Sequence, residues 1–202
     1  MNEPWKNTTH DWGTTVDEAH LSLIASHPST FAPSGVLHLL HEVLAYVADE
    51  AEAVQASSRR CEVTLHEDGS ISVCDYGRGT NTRRDEGGRV VRKPVMATKD
   101  LRFFDDPDAP ALPDGHPRKG ISVVAALSEL LMHENRRHDG GWRQRYTHGI
   151  PIDGLDVLNT DGSTGTLVHY RPVTSLEALR PGDLTSLPSD WPMLDFTSRD
   201  DR

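Results

Sequence analysis

The sequence predicts an α+β sandwich, a two-layer fold with helices on one face of a mixed, mostly antiparallel sheet. Three observations predict it. An apolar stripe at helical spacing opens after Ser34-Gly35. Two short alternating runs follow, joined through Asp68-Gly69. A second amphipathic segment, residues 121–132, then leads into further strand-like runs.

Residues 1–20 are polar and irregular, with Trp5 and Trp12 set among Asn, Thr and Asp, and read as an N-terminal arm outside the core. In the first helix Val36, Leu40, Val43, Leu44, Val47 and Ala51 form one stripe that runs to about Ala56. Residues 61–66 and 70–75 alternate apolar and polar around Asp68-Gly69, which is the period and turn chemistry of a β-hairpin. Residues 80–88 read as loop, 93–100 as a short helical piece. Residues 105–119 hold Pro107, Pro110, Pro113 and Pro117 with several Asp, and read as a long irregular loop. The second helix, 121–132, places Ile121, Val124, Ala125, Leu127, Ser128 and Leu131 on its buried side. A strand follows at 143–148, and then a pair of strands at 156–158 and 166–170. From Ser175 the chain carries Pro, Ser and Asp throughout, plus the cluster Trp191, Met193, Leu194 and Phe196. The expected organisation is an arm (1–20), one binding domain (21–174) and a C-terminal tail (175–202).

A chain of 202 residues suits one domain with a sizeable core. Its mean hydropathy of −0.54 fits a soluble protein. No apolar run approaches the roughly 20 residues of a membrane span, and the N-terminus has no signal-peptide pattern. The expected location is therefore the cytoplasm. Cys61 and Cys74 are too few for a disulfide framework and read as small buried thiols. A net charge of −10 argues against direct DNA binding. The basic clusters at 83–93 and 136–145 read as solvated loops. No His-x-x-x-His pair with a carboxylate partner occurs, which argues against a zinc site.

Three segments could carry chemistry. Glu42 and Glu50 lie on the first helix, and a carboxylate on a core-facing helix can act as a general base toward water. Asp75-Tyr-Gly-Arg-Gly79 ends a strand. There an Asp can accept from an amino group while glycines let the backbone approach a flat ligand. Asp161-Gly-Ser-Thr-Gly-Thr166 offers hydroxyls and glycines before another strand. Taken alone, each reads more simply as a boundary residue, a strand-to-loop turn and an ordinary Gly/Ser/Thr turn.

Their order resembles something more specific, the ATPase domain shared by gyrase B subunits, a class of heat-shock chaperones, histidine kinases and MutL (the GHKL, or Bergerat, fold). The similarity is greatest to gyrase B and its topoisomerase IV counterpart. Gly35-Val-Leu-His-Leu-Leu-His-Glu-Val43 resembles that family's Gly-Leu-His-His-Leu-Val-x-Glu-Val. Asp68-Gly-Ser-Ile-Ser-Val-Cys-Asp-Tyr-Gly-Arg-Gly79 is nearly the family phrase, and Gly120-Ile-Ser-Val-Val-Ala-Ala-Leu-Ser128 is similar to the helix after its ATP lid. Tyr146-Thr-His-Gly149 and Thr164-Gly-Thr166 stand where the family has Tyr/Phe-x-x-Gly and Thr-Gly-Thr. The resemblance covers about three quarters of the chain with collinear spacing. It implies that Asp75 accepts from the adenine amino group, helped by a water held by Gly79 and Thr166. It implies that Arg78 lies against the base and pairs with Glu50, and that Glu42 is the base activating the hydrolytic water. Gly77, Met96 and Gly120 belong to the implied nucleotide contacts.

The departures are as specific as the matches. Where the family has the Asn that ligates Mg²⁺, this chain has Tyr46, and Ala45 stands where Asp precedes it. A phenol is a poor ligand for a cation that wants oxygen donors in tight octahedral geometry. The lid's Gly-x-His-Gly-x-Gly is Gly115-His-Pro-Arg-Lys-Gly120, in which Pro117 removes an amide donor and Arg118 and Lys119 offer charge instead. Leu101-Arg-Phe-Phe104 replaces the family's Gly-Gly-Lys-Phe, and the sequence ends before a transducer or DNA-cleavage region. The expectation is a stand-alone, degenerate gyrase-B-like module. It binds ATP or another adenine nucleotide with little or no hydrolysis, no protein metal ligand, and Mg²⁺ in question. Two alternatives stay open. One is an active ATPase related to the type II topoisomerases, with Arg118 and Lys119 replacing the lost elements. The other is a partner-binding regulatory protein with a vestigial pocket, as a homodimer or with a gyrase-family protein, since arms like residues 1–20 embrace the partner in gyrase B dimers.

Overall fold

A computed structural model describes residues 16–53, 59–80, 86–88, 94–159 and 161–202. Trp5 and Trp12, the end of the first predicted helix at Ala56 and most of the 83–93 basic cluster lie outside the described residues. The elements are α1 (Glu18–Ser26), α2 (Pro28–Phe31), α3 (Val36–Ala53), β1 (Arg60–Leu65), β2 (Ile71–Asp75), a 3-10 turn (Pro94–Met96), α4 (Ile121–Ala126), β3 (Ser128–Arg137), β4 (Gly140–Thr147), β5 (Ile150–Pro151), β6 (Asp156–Leu158), β7 (Gly165–Pro172), α5 (Asp183–Asp190) and β8 (Asp195–Asp200).

They build the expected α+β sandwich. The sheet runs β5-β4-β3-β7-β2-β1-β8, with β6 also on β4. Only the β1–β8 pairing is parallel among the described strands. Alternation gives the sheet one buried face. Cys61, Val63 and Leu65 on β1 and Ile71, Val73 and Asp75 on β2 are buried, and the residues between them are half-exposed. Across this face Ile71, Tyr170, Leu131 and Tyr146 stand in one register and are all buried. The apolar stripe of α3 and the wholly buried α4 join them in one core.

Four local expectations are corrected. The helix foreseen over 121–132 stops at Ala126, and Ser128 opens β3. Ser128 Oγ donates to the Val124 carbonyl at 2.6 Å as the chain leaves the helix. Beyond it, Leu130-Leu-Met132 is helix-compatible locally, but β3 is paired by β4 on one side and β7 on the other. A central strand satisfies its backbone on both edges, and that tertiary gain overrides propensity. Second, the segment expected as a C-terminal tail from Ser175 supplies α5 and β8. Trp191 and Leu194 are buried, and Trp191 Nε1 donates to His41 Nδ1 on α3 at 3.1 Å. Burial keeps the His41 pKa low, which favours the neutral ring that can accept. Third, α1 begins at Glu18, capped by Asp17, whose carboxylate accepts from the His20 amide at 2.9 Å. The irregular reading of residues 1–20 therefore runs too far. Fourth, β6 pairs with β4 and not with β7. Residues 105–119 are irregular as expected, and the helical piece over 93–100 narrows to the 3-10 turn.

Candidate functional site

Helical spacing lines up the acidic residues of α3. Glu42, Tyr46 and Asp49 fall on one face at i, i+4 and i+7, and Glu50 lies beside them. Two loop regions meet this face. At one end is the turn after β2, and at the other is residues 100–120.

The strand-end region is built from backbone and glycine. Asp75 closes β2 with its side chain nearly buried, and its carboxylate accepts from the Gly77 amide at 2.9 Å and from Thr166. Burial raises the Asp75 carboxyl above its usual range, while the Gly77 and Thr166 hydrogen bonds pull it back. Two glycines permit the close approach. A Cβ on Gly165 would collide with the Asp75 carbonyl oxygen, and one on Gly79 would collide with the Arg136 carbonyl. Arg78 pairs with Glu50 through Nε at 2.8 Å. Asn135 on β3 holds the next residue on both sides, accepting from the Thr80 amide at 2.6 Å and donating to its carbonyl at 3.1 Å. Of the residues singled out in the sequence, Glu50, Asp75, Gly77, Arg78, Gly79 and Thr166 therefore come together here. Met96 is buried in the 3-10 turn, which packs on α4.

The lid region is built from side-chain ion pairs. The buried Glu42 carboxylate accepts from the Lys119 and Gly120 amides, the latter at 3.0 Å. Burial raises the Glu42 carboxyl against the pull of those amides and of His38. His38, one turn earlier, places Nε2 3.7 Å from Glu42 and Nδ1 2.7 Å from Asp114. Arg118 grips Asp49 through both terminal nitrogens, at 2.9 and 2.8 Å. Arg102 is bidentate on Asp100 at 3.0 and 2.7 Å and stands 3.7 Å from Asp49. Both guanidiniums lie over the Phe103 ring, at 4.2 and 4.5 Å. Tyr46 sits among Arg102, Asp100, Asp49 and Arg118, and burial pushes its phenol up to about 12. Lys119 acts through its backbone at Glu42, because its ammonium is taken by the Phe104 carbonyl at 3.0 Å.

Several site residues were not singled out in the sequence. His38 had a signal, its place one turn before Glu42, and Asp49 had another, three residues after Tyr46. Arg102 lay within the Leu101–Phe104 departure, whereas Asp100, Asp114 and Asn135 gave none, since only the fold brings them to α3 or to the β2 turn. Among the described residues no group of three or more His, Cys, Asp and Glu is arranged to hold a metal ion. No described helix is long and apolar enough to cross a membrane.

With this geometry in hand, comparison with known proteins is specific. No protein-family model matches the chain. It is 38% identical over 141 residues to the DNA gyrase B subunit of Thermotoga maritima, covering 68% of this chain and 22% of that protein. It is 33% identical over 145 residues to the mitochondrial DNA gyrase B subunit of Arabidopsis thaliana, covering 68% and 20%. This chain is a relative of the DNA gyrase B subunits. It spans about a fifth of the length of the two it is compared with. Among solved structures, a Francisella tularensis topoisomerase IV ATP-binding domain, in complex with a small-molecule inhibitor, superposes with a TM-score of 0.69 at 20% identity. That match covers 89% of this chain and 50% of the other, and it shows the shared fold.

Proposed function

We propose that this gyrase-B-type domain binds an adenine nucleotide in the cytoplasm and hydrolyses it slowly or not at all. One observation carries the binding half of this reading. Asp75 is a buried carboxylate at a strand end, with Gly77 and Thr166 beside it and glycine backbone in close approach. Such a group can accept from an exocyclic amino group, and relatedness to gyrase B makes adenine the base. The weak-hydrolysis half rests on the lid region. The Glu42 oxygens already hold two lid amides, and Tyr46 stands at the family's metal-ligand position. Electrostatic clamping carries most of phosphoryl transfer, so its loss is costly. Calorimetric titration with adenosine, ADP and ATP tests the binding, with Asp75→Ala expected to abolish all three. A folded protein that binds none of them ends this reading.

A second reading, an active ATPase, is favoured by one observation. The base position keeps an oriented neighbour, since His38 is fixed by Asp114 with Nε2 toward Glu42. Steady-state phosphate release that disappears in Glu42→Ala would establish it. Dimer formation and a gyrase-family partner stay open to sedimentation and pull-down.

A further inference from the structure

The gyrase-type site implies Mg²⁺ bridging the phosphates, and the residues here do not fit it. The Asn position is Tyr46, whose phenol has a pKa pushed up to about 12 and stays a neutral O–H at neutral pH. A hard dication wants anionic or carbonyl oxygens in near-octahedral array. Around the Tyr46 hydroxyl stand two guanidiniums, Arg102 and Arg118, which repel a dication, and the carboxylates beside them already answer those guanidiniums.

Resting on the adenine-nucleotide reading above, we propose that Arg118 and Arg102 form a metal-free oxyanion subsite for the nucleotide's phosphates, in place of Mg²⁺. Asp49 is the group that a phosphate displaces. Its carboxylate is bidentate on Arg118 and 3.7 Å from Arg102, so it marks where one oxyanion meets both cations. The two acids differ in freedom. The Asp49 side chain is 42% exposed and can turn to solvent, whereas Asp100 is 4% exposed and tied to the Arg102 amide at 3.0 Å. Arg118 is 6% exposed, and its Nε has no hydrogen-bond partner among the described residues. A buried donor without a partner is costly, and a phosphate, with more acceptor oxygens than a carboxylate, supplies one. Arginine suits the task because its fork matches phosphate geometry and never loses its charge. Asp49 is followed on α3 by Glu50, which pairs with Arg78 and stands with Asp75 beside Gly77, so this subsite lies next to the Asp75 turn.

Titration of the full chain with adenosine, ADP and ATP, each in EDTA and in excess Mg²⁺, tests it. Both nucleotides should bind at least about tenfold tighter than adenosine, and EDTA should change ATP affinity by less than about threefold. Arg118→Ala should remove the phosphate gain and leave adenosine unchanged. Should that variant fail to fold, Asp49→Asn carries the test, because removing the competing carboxylate should tighten ADP and ATP but not adenosine. ATP binding that needs Mg²⁺ overturns the proposal, as does adenosine binding as tightly as ATP in wild type and Asp49→Asn alike. Those outcomes leave the adenine reading standing. Loss of adenosine binding as well would remove both.

Discussion

The two ends of the α3 face are held by different kinds of matter. The strand end is fixed by backbone. Asp75 is set by the β1–β2–β7 ladder, and Gly79 and Gly165 let neighbouring chains approach more closely than any Cβ would permit. The lid end is joined to α3 by long side chains, Arg118 on Asp49 beside Arg102 on Asp100, from a loop whose own backbone bonds are local turns and one short bridge. A ladder cannot exchange partners without unfolding, whereas an ion pair with one exposed member can. Under the proposed function, the strand end would set which base is recognised and the lid end which phosphates are admitted.

Three measurements bear on that contrast, the largest effect first. Gly165→Ala forces a Cβ against the Asp75 carbonyl at a φ of 128°. It should cost about 3 kcal/mol in urea unfolding and destroy adenosine binding. A variant as stable as wild type would show that the strand end is not fixed by backbone. Glu42→Ala leaves the Lys119 and Gly120 amides without their acceptor. A loss of about 2 kcal/mol is expected, with amide exchange faster at 118–120 and adenosine affinity unchanged. Equal weakening of adenosine would mean that the two ends are coupled. The smallest effect is in pH. The Asp75 carboxyl is raised above its unfolded value, chiefly by burial, so its folded state takes up the proton more readily. Its stabilising contribution is full below the ordinary carboxyl range near pH 4 and is lost as pH rises through the folded pKa. Asp75→Asn should flatten that part of the wild-type stability profile, which lies above about pH 4. Parallel profiles would place Asp75 in water.

Much of this was legible in the sequence because it is periodic or local. The α3 stripe, the hairpin around Asp68-Gly69 and the Asp-x-Gly-x-Gly turn each declare themselves within a dozen residues. The α4–β3 boundary did not, because Leu130-Leu-Met132 becomes strand only through partners that arrive from β4 and β7. β8 was hidden for a related reason. It is an edge strand, mostly exposed, and lacks the apolar alternation that marks a half-buried one. The lid end was half legible. Tyr46, Arg118, Lys119 and the Leu101–Phe104 segment stood out as departures, but the pairing of Arg118 with Asp49 and of Arg102 with Asp100 has meaning only once the loop is folded onto α3.

The pairing of β8 along β1 has a bearing on colloidal behaviour. Six residues of β8 cap the length of β1 in parallel register, and the opposite margin of the sheet ends in strands of two and three residues. Among the described strands β8 is the longer margin, but its mostly exposed Asp195, Thr197, Ser198, Arg199 and Asp200 make it a polar edge, unlike the buried apolar alternation of β1. Trimming the chain ahead of Asp195 would bare the Cys61, Val63 and Leu65 strand along its whole hydrogen-bonding edge, turning a capped sheet into a template for strand addition.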